Sequence, residues 1–148
     1  VRHAFGSFRD VLREVTYSPM MGSYLTYQGN RAHAAGGKFP DENFAREVMQ
    51  LFTIGMYKLL PNGTVQMDGA GHPVETYTNA DIMDFAKVFT GFDEQPSRSN
   101  VESIGISRRR PDMNENDIDP MLIKVQYKDV FPKRGLDGVY LGDTYPLC

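Results

Sequence analysis

The sequence predicts a mainly α fold: a small domain of about four helices with a β-hairpin insertion and a long irregular C-terminal tail. Three observations point there. The segments NFAREVMQLF and NADIMDFAKVF repeat apolar residues at helical spacing between clear start and stop signals. Between them lies a weakly alternating stretch around Pro61-Asn62-Gly63, a tight-turn signal. After Phe92 the periodicity dissolves into a tail that holds five of the nine prolines. On this pattern the chain divides into a helical domain at 1–92, with the hairpin inserted at 56–77, and an extended tail at 93–148.

The first helix is expected from about Phe5 to Tyr17, with Phe8, Val11, Leu12 and Val15 on its inward face. Ser18-Pro19 reads as an N-cap followed by proline at the first helical position. It opens a short helix to about Tyr27, with Met20, Met21, Tyr24 and Leu25 facing inward. Ala34 to Lys38 is a small-residue loop. The third helix begins near Pro40 or Asp41, where carboxylates suit the positive end of the helix dipole. Phe44, Val48, Leu51 and Phe52 form its apolar stripe, and Gly55 takes the left-handed position that ends it. In the fourth helix Thr78 is the N-cap, Asp81 a near capping-box partner, and Gly91 the stop; Ile82, Phe85, Ala86 and Phe89 line one side. In the tail, only Met121 to Val130 has enough apolar content for a strand.

Composition narrows the function classes. Sixteen basic side chains against nineteen acidic ones leave a net charge of -3, too little positive field to hold nucleic acid. No apolar run approaches the roughly 20 residues of a membrane span. Val1 opens without an initiator Met or an apolar leader, so the start reads as a processed end. The lone Cys148 closes the chain, as if cut away from a disulfide partner.

The candidate chemistry is sparse. Glu47, Arg46 and Asn43 form one polar cluster, and a Glu beside an apolar stripe can serve as an acid or base. The simpler expectation is that Arg46 pairs with Glu42 and that Glu47 accepts hydrogen bonds from a neighbouring segment. Asp112, Asn114 and Asn116 match the first positions of a calcium loop. Asp117 and Ile123 then stand where such a loop needs Gly and a bidentate Glu. No cofactor other than this weak calcium candidate is expected. His3, His33 and His72 lie on unrelated segments without metal-ligand spacing. Asn62-Gly63-Thr64 fits the N-glycosylation pattern on an exposed turn.

The pieces HAFGSFRDVLREVTYSPMMGSYL, ENFAREVMQLFTIG, YTNADIMDFAKVFTGF and FPKRGLDGVYLGD, in this order, resemble the uncharacterised family "domain of unknown function 1800". The resemblance implies a largely helical, often exported protein, generally longer than this chain and encoded beside genes for exported sulfatase-like proteins. It carries over no catalytic residue. Many members have Asp where this chain has Thr26, and a His-Asp pair where Lys128-Asp129 stands. The expectation is therefore an exported structural or interaction module, set in a larger extracellular or cell-envelope protein. Its partners would be other protein chains or the remainder of its own. The alternative is part of a hydrolase acting on surface polysaccharide or sulfate esters, with Glu47, Arg46 and Asp129 as local contributors.

Overall fold

The computed structural model describes residues 3–96, 98 and 116–141. Helix α1, Phe8–Thr16, starts at Ser7, whose side chain accepts from the Asp10 amide. Its apolar side is only half used: Leu12 packs against the core, while Phe8 stays exposed. Proline at its start opens α2, Pro19–Tyr24. Met21 and Leu25 face the core, but Met20 and Tyr24, four residues apart on one face, turn to solvent because Pro19 and Gly22 take the buried side of α2. The expected loop at 34–38 contains a one-turn helix α3, His33–Gly36, stopped by Gly37 at φ 66.

Helix α4, Asn43–Glu47, runs directly into a π-helical turn at Val48–Phe52. That turn corrects the predicted stripe. A wider turn delays the return of each side chain to the core, so Met49 is buried and Leu51 points outward, 70% exposed. Gly55, at φ 75, closes the end by donating to Met49 O at 2.9 Å. Helix α5, Asn79–Ala86, carries the full capping box between Thr78 and Asp81 and tightens into a 3₁₀ turn at Lys87–Phe89.

Between α4 and α5 the chain makes three short segments where a hairpin would make two. Leu59 bridges Val65, Met67 bridges Pro73, and Glu75 bridges Tyr57, all antiparallel. The bonds recur every eight residues and close a ring. Lys58 N donates to Val74 O (2.9 Å), Val74 N to Gln66 O (2.9 Å), and Gln66 N to Lys58 O (2.8 Å). Leu60, Asp68 and Thr76 amides donate in the opposite rotation to Thr64, His72 and Met56 carbonyls. Gly55, Gly63 and Gly71 hold equivalent corners with φ of 75, 83 and 85, a left-handed region costly for any residue with a Cβ. Each segment is thereby bonded to both others.

The core gathers at Tyr27, which is fully buried. Its ring stacks on Phe44 (4.1 Å) and meets Phe89 and Phe92 edge-on, each at 6.0 Å. Its hydroxyl donates to Thr16 O at 2.7 Å. Around it pack Ala45, Val48, Met49, Ile82, Ala86 and Met121.

Met121 belongs to the region expected to be an irregular tail. Strand β1, Phe92–Asp93, pairs antiparallel with β2, Leu122–Ile123. The Met121 amide donates to Tyr17 O at 2.7 Å, and its side chain fills the space left by Gly22, where a Cβ would lie 2.8 Å from the sulfur. A 3₁₀ turn at Val125–Tyr127 and a hairpin of β3, Lys133–Arg134, with β4, Tyr140–Leu141, follow. The mainly α class is therefore wrong. Helix takes about 36% of the described residues, and the small antiparallel sheets make the fold mixed. The physical reason is that proline-punctuated segments too short to show a period still pair by backbone and bury single large side chains.

Gly91 is the described glycine at which another backbone segment comes closest. At φ 84, a Cβ there would lie 2.9 Å from Lys124 O. Gly91→Ala is expected to cost on the order of 2 kcal/mol or more in urea unfolding, combining left-handed strain with a backbone clash. Gly63→Ala, at a similar φ but with open space around it, is expected to cost about 1 kcal/mol. Equal losses would show that the clash is absent.

Candidate functional site

Three unusual local features meet along the polar edge of α4. Thr26 has φ 61, a left-handed conformation that a β-branched residue rarely holds and that costs about 1–3 kcal/mol. Its hydroxyl accepts from Asn43 Nδ2 at 3.0 Å, at the start of α4. One turn on, Glu47 places Oε2 out of solvent with no hydrogen-bond partner. The π-helical turn begins at the next residue, and such turns recur at functional sites. Tyr77 stands near the same edge: burial pushes its phenol upward, Arg46 opposes this, and Glu47 and Glu75 add to it.

The structure disperses the predicted cluster. Arg46 Nη2 pairs with Glu42 Oε1 at 3.1 Å, as expected. Glu47 accepts none of the hydrogen bonds expected of it among the described residues. Asp129 is on another wall, in a largely buried ion pair with Lys133 Nζ at 2.6 Å. The Asp129 amide donates to Thr90 Oγ1, and its carboxylate also accepts from the Phe131 amide. Neighbouring Lys128 sends its ammonium to Val88 O and over the Phe92 ring. Burial chiefly lowers the Lys128 pKa, with Lys133 adding to the effect and Asp129 opposing it. No ion pair or hydrogen bond joins Asp129 to Glu47 among the described residues.

Asn116 is fully buried, and its amide is spent on the fold. Nδ2 donates to Pro96 O and Asp119 Oδ2, and Oδ1 accepts from the Ile118 and Asp119 amides. Both carbonyl lone pairs are thus engaged by the chain. Asp112, Asn114 and Cys148 lie outside the described residues. Among the described residues no three His, Cys, Asp or Glu side chains gather as a metal set. No helix there is long and apolar enough to cross a membrane.

Sequence reasoning missed a cleft of about 400 Å³ beside α3, lined by Asn30, Arg31, Lys38, Phe39, Asp41 and Glu42. Arg31 is held 4.2 Å over the Tyr127 ring, and Asn30 clamps the Asp41 backbone through both ends of its amide. The cleft mixes cations and carboxylates, and neither Glu47 nor Asp129 lines it. Its only sequence signal was the basic, glycine-rich run RAHAAGGK, which carries no periodicity.

The chain belongs to the family described as "Protein of unknown function (DUF1800)", whose model matches residues 1–138. No curated protein and no solved structure gives a match.

Thr26 supplies a direct test of stored strain. Thr26→Asn is expected to raise unfolding free energy by about 1 kcal/mol, because Asn tolerates the left-handed region and keeps a polar group for Asn43. A loss of stability in urea titration would show that the φ of 61 is not strained here.

Proposed function

We propose that the chain is an interaction module that works within a larger extracellular or cell-envelope protein and docks through the apolar lip at 51–67. The carrying observation is the exposure of large apolar side chains along that stretch. Leu51 is 70%, Leu59 61% and Met67 56% exposed, with Ile54, Met56, Tyr57 and Leu60 beside them in sequence. Large apolar side chains left in solvent along one stretch supply the kind of surface that protein contacts use. The ring already bonds each segment to the other two, so a partner would be held by side chains and not by strand addition. The ion pairs of Arg46 with Glu42 and Asp129 with Lys133 support a structural role for those charges. The extracellular or cell-envelope setting rests on the family resemblance.

One observation favours the second reading, part of a hydrolase acting on surface polysaccharide or sulfate esters: the unpartnered Glu47 oxygen. A carboxylate left unpaired out of water costs stability and is commonly kept for function.

Two experiments separate the readings. A photo-cross-linker placed at Met67 is expected to join one discrete protein in cells that make the chain, while one at Arg9 on α1 does not. Capture of nothing, or of the same background from both positions, would contradict the docking lip. Glu47→Met is expected to raise unfolding free energy by about 1 kcal/mol and leave the Met67 cross-link intact. Hydrolysis of a sulfate ester or glycoside by the native chain, abolished by Glu47→Gln, would instead assign the function to α4.

A further inference from the structure

We propose that Asn62, at one corner of the three-segment ring, is an acceptor for an N-linked oligosaccharide; this rests on the extracellular part of the reading above. The chain holds a single Asn-x-Ser/Thr triplet, and the fold places it at an outer turn. Of the three equivalent corners, one sits at Gly55, where the chain enters the ring. The other two turn at Gly63 and Gly71, and only the first carries an acceptor triplet.

Local geometry suits the chemistry. The Thr64 hydroxyl donates to Asn62 Oδ1 at 2.8 Å and the Thr64 amide to the same atom at 3.1 Å. Both bonds draw on the carboxamide oxygen and leave Nδ2 without a hydrogen-bond partner among the described residues. Asn62 and Thr64 are exposed, and no atom comes within 4 Å of a Cβ built at Gly63. The ring bonds hold the turn away from the aromatic core, so an oligosaccharide there displaces no packed side chain.

In the transfer, Asn62 Nδ2 attacks the anomeric carbon of a lipid-pyrophosphate-linked oligosaccharide. The new N–C bond forms as the bond from that carbon to the pyrophosphate oxygen breaks. The lipid pyrophosphate leaves with the electron pair, and a base of the transferase takes one amide proton. In sequence this corner falls between Leu60 and Met67, two of the exposed apolar residues of the 51–67 stretch.

The test is to send the full chain through a eukaryotic secretory pathway behind a cleavable leader and to weigh it from cells and medium together. The expected result is a mass increase of one oligosaccharide, removed by peptide-N-glycosidase with an aspartate left at position 62. The increase is expected to persist in Thr64→Ser and to vanish in Asn62→Gln and Thr64→Val. A native chain at its bare peptide mass, or an increase that survives in Asn62→Gln, overturns the proposal. The natural setting is read separately, by fractionating cells that make the protein. An intracellular location there would sink the extracellular reading without touching the acceptor result.

Discussion

The Tyr27 ring, stacked on Phe44 and edged by Phe89 and Phe92, is the contact on which the other elements converge. Phe44 brings α4, Phe89 brings the end of α5, and Phe92 brings β1, which in turn holds β2. The hydroxyl reaches Thr16 O and ties in the end of α1. An aromatic group of this size contributes several kcal/mol through burial, and ring pairs add about 0.5–1.5 kcal/mol each. Burial also holds the phenol neutral well above the usual tyrosine range, so the group acts as an apolar plug with one satisfied donor.

Much of the backbone around the plug is arranged to serve it. Gly29 N donates to Phe92 O, Gly91 N to Asn30 O, and Lys124 N to Gly91 O, each at 2.8 Å. These bonds place the residues flanking Tyr27 beside the joint between α5 and β1. Thr26, immediately before Tyr27, bears the left-handed φ that this course of the chain requires, and Asn43 steadies it. The strained Thr26 and the unpaired Glu47 oxygen therefore each adjoin a residue of the buried core, Tyr27 and Val48. Leu59, Leu60 and Met67 of the apolar lip lie on the ring, which satisfies its own backbone and leaves these side chains exposed, while Leu51 lies on the π-helical turn that ends α4.

Strong local signals were legible in the sequence. The Thr78–Asp81 capping box, the pairing of Arg46 with Glu42, and the left-handed stops at Gly55 and Gly91 each follow from residue type and spacing. Features set by tertiary contact were not. Tyr27 looked like the frayed end of α2, because nothing local says that one aromatic will become the centre of a core. The π-helical turn shifted the phase of α4 after Glu47, which a fixed 3.6-residue period cannot register. The eight-residue ring hid because its repeats share glycine and backbone geometry but no side-chain pattern. Met121 packs into the space at Gly22, about a hundred residues away, so apolar content marked 121–130 as strand-like within a tail but not as part of the core.

Native-state hydrogen exchange tests the central role of Tyr27 most directly. The amides of Gly29, Gly91, Met121 and Lys124 join the N-terminal segment, the α5 end and the C-terminal segment. If one aromatic plug holds all three, these amides open together with the global unfolding free energy, and Tyr27→Leu lowers all of them by the same amount. If Met121 and Lys124 exchange through a cheaper opening that Tyr27→Leu leaves unchanged, the C-terminal segment is merely laid on the surface and the account fails.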